Sequence, residues 1–361
     1  MKRLLVAGGG TGGHIYPAIA IAQVLKKVAP EIEVHFVGTA KGLEKKIVPR
    51  EGYPLHLIKV GALNQVGVWT KLFSIILLPL ALFQSVILIL KLKPKAVLGV
   101  GGYASGPAVL AAWLMRIPTF LFEPNAQPGL TNRWLAPIVK RAFLNFSAAE
   151  KFFKDSEIVG IPVRSGLIPR SQADLMDETG TARRLEILIF GGSQGARGIN
   201  NTVLEAVRRG GEWLSRVSIV HQIGSTDFEK FKEEYERLKP LHVNYFEFLF
   251  DMPERYTKAD LVICRAGAST LAELASCHKA SIVVPFPQAS DNHQQKNAEA
   301  LVAGEATVMI LQKDFTPEKL VEAVNEFYRN PNKISELEFA IAKFCKHESA
   351  ERIVAALRKE F

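Results

Sequence analysis

Cysteine is scarce in this chain of 361 residues: Cys264, Cys277 and Cys345 are the only three, with neither CxxC spacing nor the even number of a disulfide framework. That excludes a small disulfide-stapled fold and makes a reducing compartment the simplest setting. No D-x-D aspartate pair occurs, and no His, Cys and carboxylate set has metal-ligand spacing. No metal centre or cofactor is therefore expected, and leaving-group charge falls to backbone amides, helix dipoles and arginine. A Walker P-loop and a G-x-S-x-G nucleophile elbow are both absent, which removes the P-loop nucleotidase and serine-hydrolase signatures. Aromatic residues do not interleave with basic ones in an RNA-binding pattern, so nucleic acid is a poor fit. The first apolar run begins almost at Met1. It leaves no room for the charged region, apolar core and cleavage site of a secretory signal, and the protein is expected to stay where it is made.

What is present is glycine in two runs of similar context. Gly8-Gly9-Gly10-Thr11-Gly12-Gly13-His14 follows the apolar stretch Leu4–Ala7, and Gly191-Gly192-Ser193-Gln194-Gly195-Ala196 follows Leu185–Phe190. A buried parallel strand, a glycine turn and a helix start together offer unpaired N–H groups and a positive dipole end to an anion. Two such loops suggest two nucleotide-binding-type lobes facing each other across a cleft. The net charge of +9 fits an anionic partner, whether nucleotide, pyrophosphate or acidic membrane surface. A mean hydropathy of +0.10 is high for a globular chain and points to exposed apolar surface.

Alternating strand and helix patterns organise the chain as doubly wound α/β. The first lobe, 1–163, holds a helix over Pro17–Val28 and strands at Glu33–Val37, Ala96–Val100 and Thr119–Phe122. Gly160–Arg164 reads as a hinge, and the second lobe, 164–335, restarts the alternation at Leu185. Its strands include Ser218–Gln222, Leu261–Ile263 and Ala280–Val284, with helices after Ala268 and from Asn292, and a helical tail completes the chain over 336–361. Leu72–Leu90 is apolar apart from Ser74, Pro79, Gln84 and Ser85. It admits three readings. A membrane span would carry the next strand of the sheet, near Ala96, to the wrong side. A buried core helix is the plainer reading. In the third, one face is core and the other an apolar patch beside Trp69, ringed by Lys71, Lys91, Lys93 and Lys95, which suits an anionic leaflet.

Gly8-x-Gly10-x-x-Gly13 fits the dinucleotide fingerprint, but the strand that should end in a ribose-binding acid ends in Gly38-Thr39-Ala40; a nicotinamide oxidoreductase is disfavoured on that ground. His14, one turn into the helix after the loop, is placed either as a general base or as a capping histidine. In the run Cys264–Glu273, small residues permit close approach of a ligand, and Glu273 either accepts from a ribose diol or compensates a helix dipole. The cluster Asp291–Gln295 after Pro285-Phe286-Pro287 suits sugar hydroxyls or simple N-capping. Arg164 is the leading arginine for a diphosphate.

These motifs, with Gly101-Gly102-Tyr103-Ala104-Ser105-Gly106-Pro107 and Gly129-Leu130-Thr131-Asn132, run in order from the first strand to the last helices and closely resemble the MurG family. Its members are bacterial N-acetylglucosaminyltransferases that convert lipid I to lipid II for peptidoglycan. The resemblance implies a GT-B fold with acceptor on the first lobe and nucleotide sugar on the second. It also implies inverting, metal-independent transfer from UDP-N-acetylglucosamine (UDP-GlcNAc) to the 4-hydroxyl of the muramoyl sugar. By motif, Thr11, Gly12 and Gly13 would border the sugar and the acceptor pyrophosphate, Tyr103 would bind substrate, and Asn125 and Gln294 would touch the donor sugar. Arg164 and Ser193 would meet the diphosphate and the Leu249 backbone the uracil. Ala268, Ser269, Thr270, Leu271, Ala272 and Glu273 would hold diphosphate and ribose. Trp69, Phe73, Ile76 and Leu80 would form a membrane-facing patch, placing the protein at the cytoplasmic face of the bacterial membrane, near other cell-wall synthesis or division proteins. The tail would return to the first lobe. Where members usually carry His-Glu-Gln-Asn, this chain has Phe122-Glu123-Pro124-Asn125. The histidine's place is vacant, so His14 is the candidate base and Glu123 the runner-up. Two alternatives are another GT-B enzyme acting on a glycolipid or natural product, and a non-catalytic protein that binds UDP without turnover.

Overall fold

The computed structural model describes residues 2–10, 12–40, 42–61, 68–163, 167, 169, 183–192 and 194–361, with 68–76 described by backbone alone. The chain divides into two compact units, Met1–Val163 with Lys346–Phe361, and Arg164–Cys345.

Unit 1 is built from β1 (Lys2–Ala7), α1 (Gly12–Val28), β2 (Ile32–Gly38), α2 (Glu44–Arg50), β3 (Leu55–Leu57), α3 (Val68–Leu92), β4 (Ala96–Gly99), α4 (Ser105–Leu114), β5 (Thr119–Glu123), α5 (Leu130–Leu135), β6 (Arg141–Leu144) and β7 (Ser156–Ile158). Among the described residues its strands form one all-parallel sheet in the order β3-β2-β1-β4-β5-β6-β7. Every residue of β4 and β5 is buried, as expected where helices cover both faces of a parallel sheet. The direction of winding reverses between β1 and β4, which is where ligands bind in such sheets, at the carboxyl ends of the strands.

Unit 2 repeats the plan with β8 (Leu185–Phe190), α6 (Arg197–Arg209), β9 (Val217–Gln222), α7 (Phe228–Leu238), β10 (Val243–Phe246), α8 (Met252–Lys258), β11 (Leu261–Cys264), α9 (Ala268–Ser276), β12 (Ser281–Val283), α10 (His293–Val302), β13 (Val308–Met309), α11 (Pro317–Arg329) and α12 (Asn332–Ala342). Its parallel order is β10-β9-β8-β11-β12-β13, with the reversal between β8 and β11. Ile334 and Leu337 of α12 lie in this unit's core, so the return to unit 1 comes at Lys346, later than the 336–361 tail suggested by sequence. The helix that returns is α13 (Ser349–Arg358), which packs on α1. Arg352 Nη2 donates to Glu157 Oε1 at 2.8 Å and Lys140 Nζ to Glu360 Oε1 at 2.6 Å around it.

The apolar segment over Leu72–Leu90 is the helix α3. Ala81, Ser85, Ile89 and Leu92 are buried, while Leu80, Phe83, Ile87 and Leu90 are 41–62% exposed. Both sets recur at helical spacing, so the helix has a core face and an outer apolar face. It is therefore not a wholly buried helix. Among the described residues no helix is long and apolar enough to cross a membrane.

Candidate active site

In unit 1 the first glycine run turns at the carboxyl end of β1, and Gly8 N–H donates to Val37 O (3.0 Å) while Gly9 N–H donates to Gly101 O (3.2 Å). A Cβ on Gly8 would stand 2.2 Å from the Gly101 carbonyl oxygen, and one on Gly102 would stand 2.4 Å from that of Gly9. Backbone therefore packs on backbone across the sheet's reversal, which only glycine permits. The acid missing from the end of β2 is supplied from elsewhere: Glu44, the first residue of α2, reaches back and accepts Gly10 N–H at 2.7 Å.

His14 stands in the first turn of α1. Its Nδ1 lies 3.2 Å from Gly9 O, and a carbonyl only accepts, so Nδ1 carries the proton. In the neutral ring the lone pair is then on Nε2, beside Gly101, whose added Cβ would be 3.0 Å from that nitrogen. A histidine oriented at one nitrogen by a fixed acceptor is the arrangement of a general base. Tyr103, partly exposed, sits on the neighbouring loop.

Glu123 is placed differently. It is 1% exposed, and burial pushes its carboxyl above the ordinary range against the lowering effect of its hydrogen bonds. Oε1 accepts from Asn125 N (2.9 Å) and Nδ2 (3.1 Å), and Oε2 from Gly129 N (3.1 Å) and Asn132 Nδ2 (2.9 Å). Both oxygens tie down the loop 124–129, and the Asn125 amide is held with them. The geometry is that of a scaffold for the loop.

In unit 2 the second glycine run leaves β8 and stacks on the turn after β9: a Cβ on Gly195 would lie 2.0 Å from Ile223 O. Gln222, 3% exposed, links two further pieces, since its Nε2 donates to Gly192 O (2.9 Å) and its Oε1 accepts Leu249 N–H (3.1 Å). Across the reversal, α9 begins after Gly267 with Ala268 and Leu271 buried, Thr270 and Ala272 half-buried, and the Ser269 hydroxyl buried without a hydrogen-bond partner. Glu273, 8% exposed, accepts the Tyr256 hydroxyl at 3.0 Å, so it is a buried acceptor rather than a solvated charge. Arg265 donates to the carbonyls of Val284 (3.0 Å) and Pro285 (3.2 Å), and burial lowers its guanidinium to about 10. Gln294 Oε1 accepts Phe286 N–H (3.0 Å), so Arg265 and Gln294 pin the Pro285–Pro287 turn between them. Asn292 occupies the N-cap of α10 without a side-chain capping bond.

Thr11, Arg164 and Ser193 lie outside the described residues, as do the side chains of Trp69, Phe73 and Ile76. Among the described residues no group of three or more His, Cys, Asp or Glu is placed to hold a metal ion.

Beneath the unit 2 loops runs a buried relay. Tyr235 donates its hydroxyl to His221 Nδ1 (2.9 Å), His221 donates Nε2–H to Asn200 Oδ1 (3.1 Å), and Asn200 Nδ2 donates to Ile223 O (2.8 Å). Burial drives the His221 imidazole down to about 3. Folded protein keeps it neutral while unfolded chain takes up a proton below about pH 6.5. Stability present at neutral pH is therefore lost as pH falls from there towards 3, by about 2 kcal/mol at pH 5. Urea unfolding between pH 8 and 5 should show this slope in wild type and lack it in His221→Gln; identical slopes would place the protonation elsewhere.

The glycosyltransferase family 28 N-terminal domain matches residues 4–144 and its C-terminal domain matches 186–353. A UDP-N-acetylglucosamine–N-acetylmuramyl-(pentapeptide) pyrophosphoryl-undecaprenol N-acetylglucosamine transferase of Bdellovibrio bacteriovorus is 50% identical over 325 residues, covering 90% of this chain and 89% of that one. The protein of the same name from Myxococcus xanthus is 43% identical over 355 residues, covering 98% and 91%. The crystal structure of Acinetobacter baumannii MurG superposes with a TM-score of 0.80 at 29% identity, covering 99% of this chain and all of that one. With two Rossmann-like units, each winding outward from a glycine loop, and with relatives matched almost end to end, the chain belongs to the MurG family of N-acetylglucosamine transferases, of GT-B fold.

Proposed function

We propose that this protein transfers N-acetylglucosamine from UDP-GlcNAc to the 4-hydroxyl of N-acetylmuramic acid in lipid I, giving lipid II for peptidoglycan synthesis. The observation that carries this is the 50% identity, over nine-tenths of the chain, to a relative named for that reaction. Unit 1 takes the acceptor, with Gly12, Gly13 and Tyr103 bordering it and Thr11 beside them. Unit 2 takes the donor: the Leu249 carbonyl accepts the uracil N–H, Glu273 accepts from the ribose, and the amides of the second glycine loop with Arg164 and Ser193 receive the diphosphate. Asn125 and Gln294 contact the transferred sugar.

The acceptor oxygen forms its bond to the anomeric carbon as its proton passes to His14 Nε2. The bond from that carbon to the UDP oxygen breaks, and the charge it leaves is taken up by preorganised N–H donors and guanidinium. Attack opposite the leaving group inverts the centre, and the products are lipid II, UDP and a proton. The protein works as a peripheral protein at the cytoplasmic face of the membrane, where lipid I is anchored, and the outer face of α3 rests on anionic lipid.

The test is UDP release with UDP-GlcNAc and a short-chain lipid I analogue, with a chelator present and UDP-glucose as control donor. Turnover confined to the N-acetyl donor, dependent on the lipid acceptor and indifferent to chelation, is expected. UDP binding without turnover would move the search to other acceptors, and loss on chelation would overturn the metal-independent step.

A further inference from the structure

We propose that Glu44 is a positioning residue for the acceptor: its buried carboxyl sets the shape of the first glycine loop. This rests on unit 1 being the acceptor unit. Glu44 is 1% exposed, although it lies on a short surface helix whose other residues include Lys45 and Lys46. Both of its oxygens are occupied by donors from two loops. Oε2 accepts Gly10 N–H at 2.7 Å, while Oε1 accepts Thr39 N–H at 2.8 Å and the Thr39 hydroxyl at 3.0 Å. Burying a carboxyl costs several kcal/mol unless donors surround it, so a chain that buries one here gains something specific from it.

Three glycines make the room. A Cβ would fall 2.4 Å from the Glu44 carboxyl at Gly9, 2.5 Å from its Cγ at Gly38 and 2.0 Å from Oε2 at Gly42. The cradle is thus shaped to the carboxyl from the loop it holds and from both ends of the β2–α2 connection. What it holds is the site. Gly10 immediately precedes Thr11, Gly12 and Gly13, and the carbonyl of Gly9 is the acceptor for His14 Nδ1–H. A charge-assisted bond at Gly10 therefore fixes both the N–H groups offered to the acceptor pyrophosphate and the carbonyl that aims the imidazole. Glu44 touches neither substrate in this scheme and acts only through the loop.

Two variants of the full-length protein separate this from a purely structural role. Glu44→Gln keeps the volume but turns one terminal atom into a donor that must face either Gly10 N–H or the Thr39 donors. Gly42→Ala leaves the acid in the chain and presses its flexible end out of the cradle, so it tests the same contact even where Glu44→Gln folds poorly. In both, kcat/KM for a short-chain lipid I analogue should fall about tenfold or more, equivalent to about 1.4 kcal/mol or more. The dissociation constant for UDP, bound by unit 2, should stay within about twofold of wild type. Amide hydrogen exchange over Gly8–Gly10 should quicken in both. Faster exchange with unchanged acceptor kinetics would overturn the proposal, and so would unchanged exchange. Wild-type protein that fails to turn over the analogue would instead sink the proposed reaction, and the exchange measurement would still decide whether Glu44 shapes the loop.

Discussion

Alanine in place of His14 lowers turnover by roughly 10²–10⁴-fold, the contribution expected of a positioned general base, while UDP binds as in wild type. The expectation comes from the ring's orientation. Its Nδ1–H is committed to Gly9 O, so the neutral imidazole presents Nε2 as a base without any rearrangement. The acidic limb of the pH–rate profile should disappear with the side chain, because that limb reports protonation of the base. Glu123 is the informative contrast. Four donors already converge on its two oxygens, so its replacement disturbs the loop around Asn125 and not the proton transfer, and it should leave the acidic limb in place. Near-normal turnover of His14→Ala, or an acidic limb lost with Glu123→Gln instead, would reverse the two roles.

The second large effect is on membrane association. Phe83 and Ile87 are 62% and 49% exposed on the outer face of α3, and removing that remaining surface from water contributes about 1 kcal/mol or more for each. Replacing both with glutamate forfeits that contribution and adds repulsion from an anionic leaflet. Cosedimentation with phosphatidylglycerol-containing vesicles should weaken by about 100-fold or more. Turnover of a water-soluble acceptor should be nearly unchanged, because the substitutions lie on a face that Ala81, Ser85 and Ile89 keep separate from the core. Vesicle binding that survives the double substitution would move the membrane contact off α3.

What the sequence disclosed follows from range. Leu4–Ala7 and Leu185–Phe190 are apolar runs whose burial is decided locally, and the glycines after them announce turns that other residues cannot make. The two lobes and their loops were readable for that reason. The partners of those loops were not. Glu44 lies 34 positions from Gly10, Gln222 lies 27 from Leu249, and Asn200 lies 23 from Ile223. A polar side chain that serves a distant backbone group leaves no periodic trace. The one usable signal was the absence of an acid at Gly38-Thr39-Ala40, combined with the glycines that flank the nearest acid downstream. Asn125 and Gln294 show the complementary difficulty: the family resemblance implies sugar contacts for both, while the structure shows both engaged in holding their own loops, and residue type alone does not separate the two roles.

The return of α13 to α1 has a bearing on how the protein is made. Ile353, Val354 and Leu357 are buried on a helix that is synthesised after all of unit 2, whereas α1, which it covers, is synthesised before unit 2. Unit 2 is one continuous stretch of chain, whereas unit 1 waits, with the flank of α1 uncovered, until Ser349–Arg358 has emerged. The nascent chain therefore carries an apolar surface throughout the synthesis of unit 2, and a premature stop just before Lys346 would release a protein with every residue of its second unit and an incomplete first.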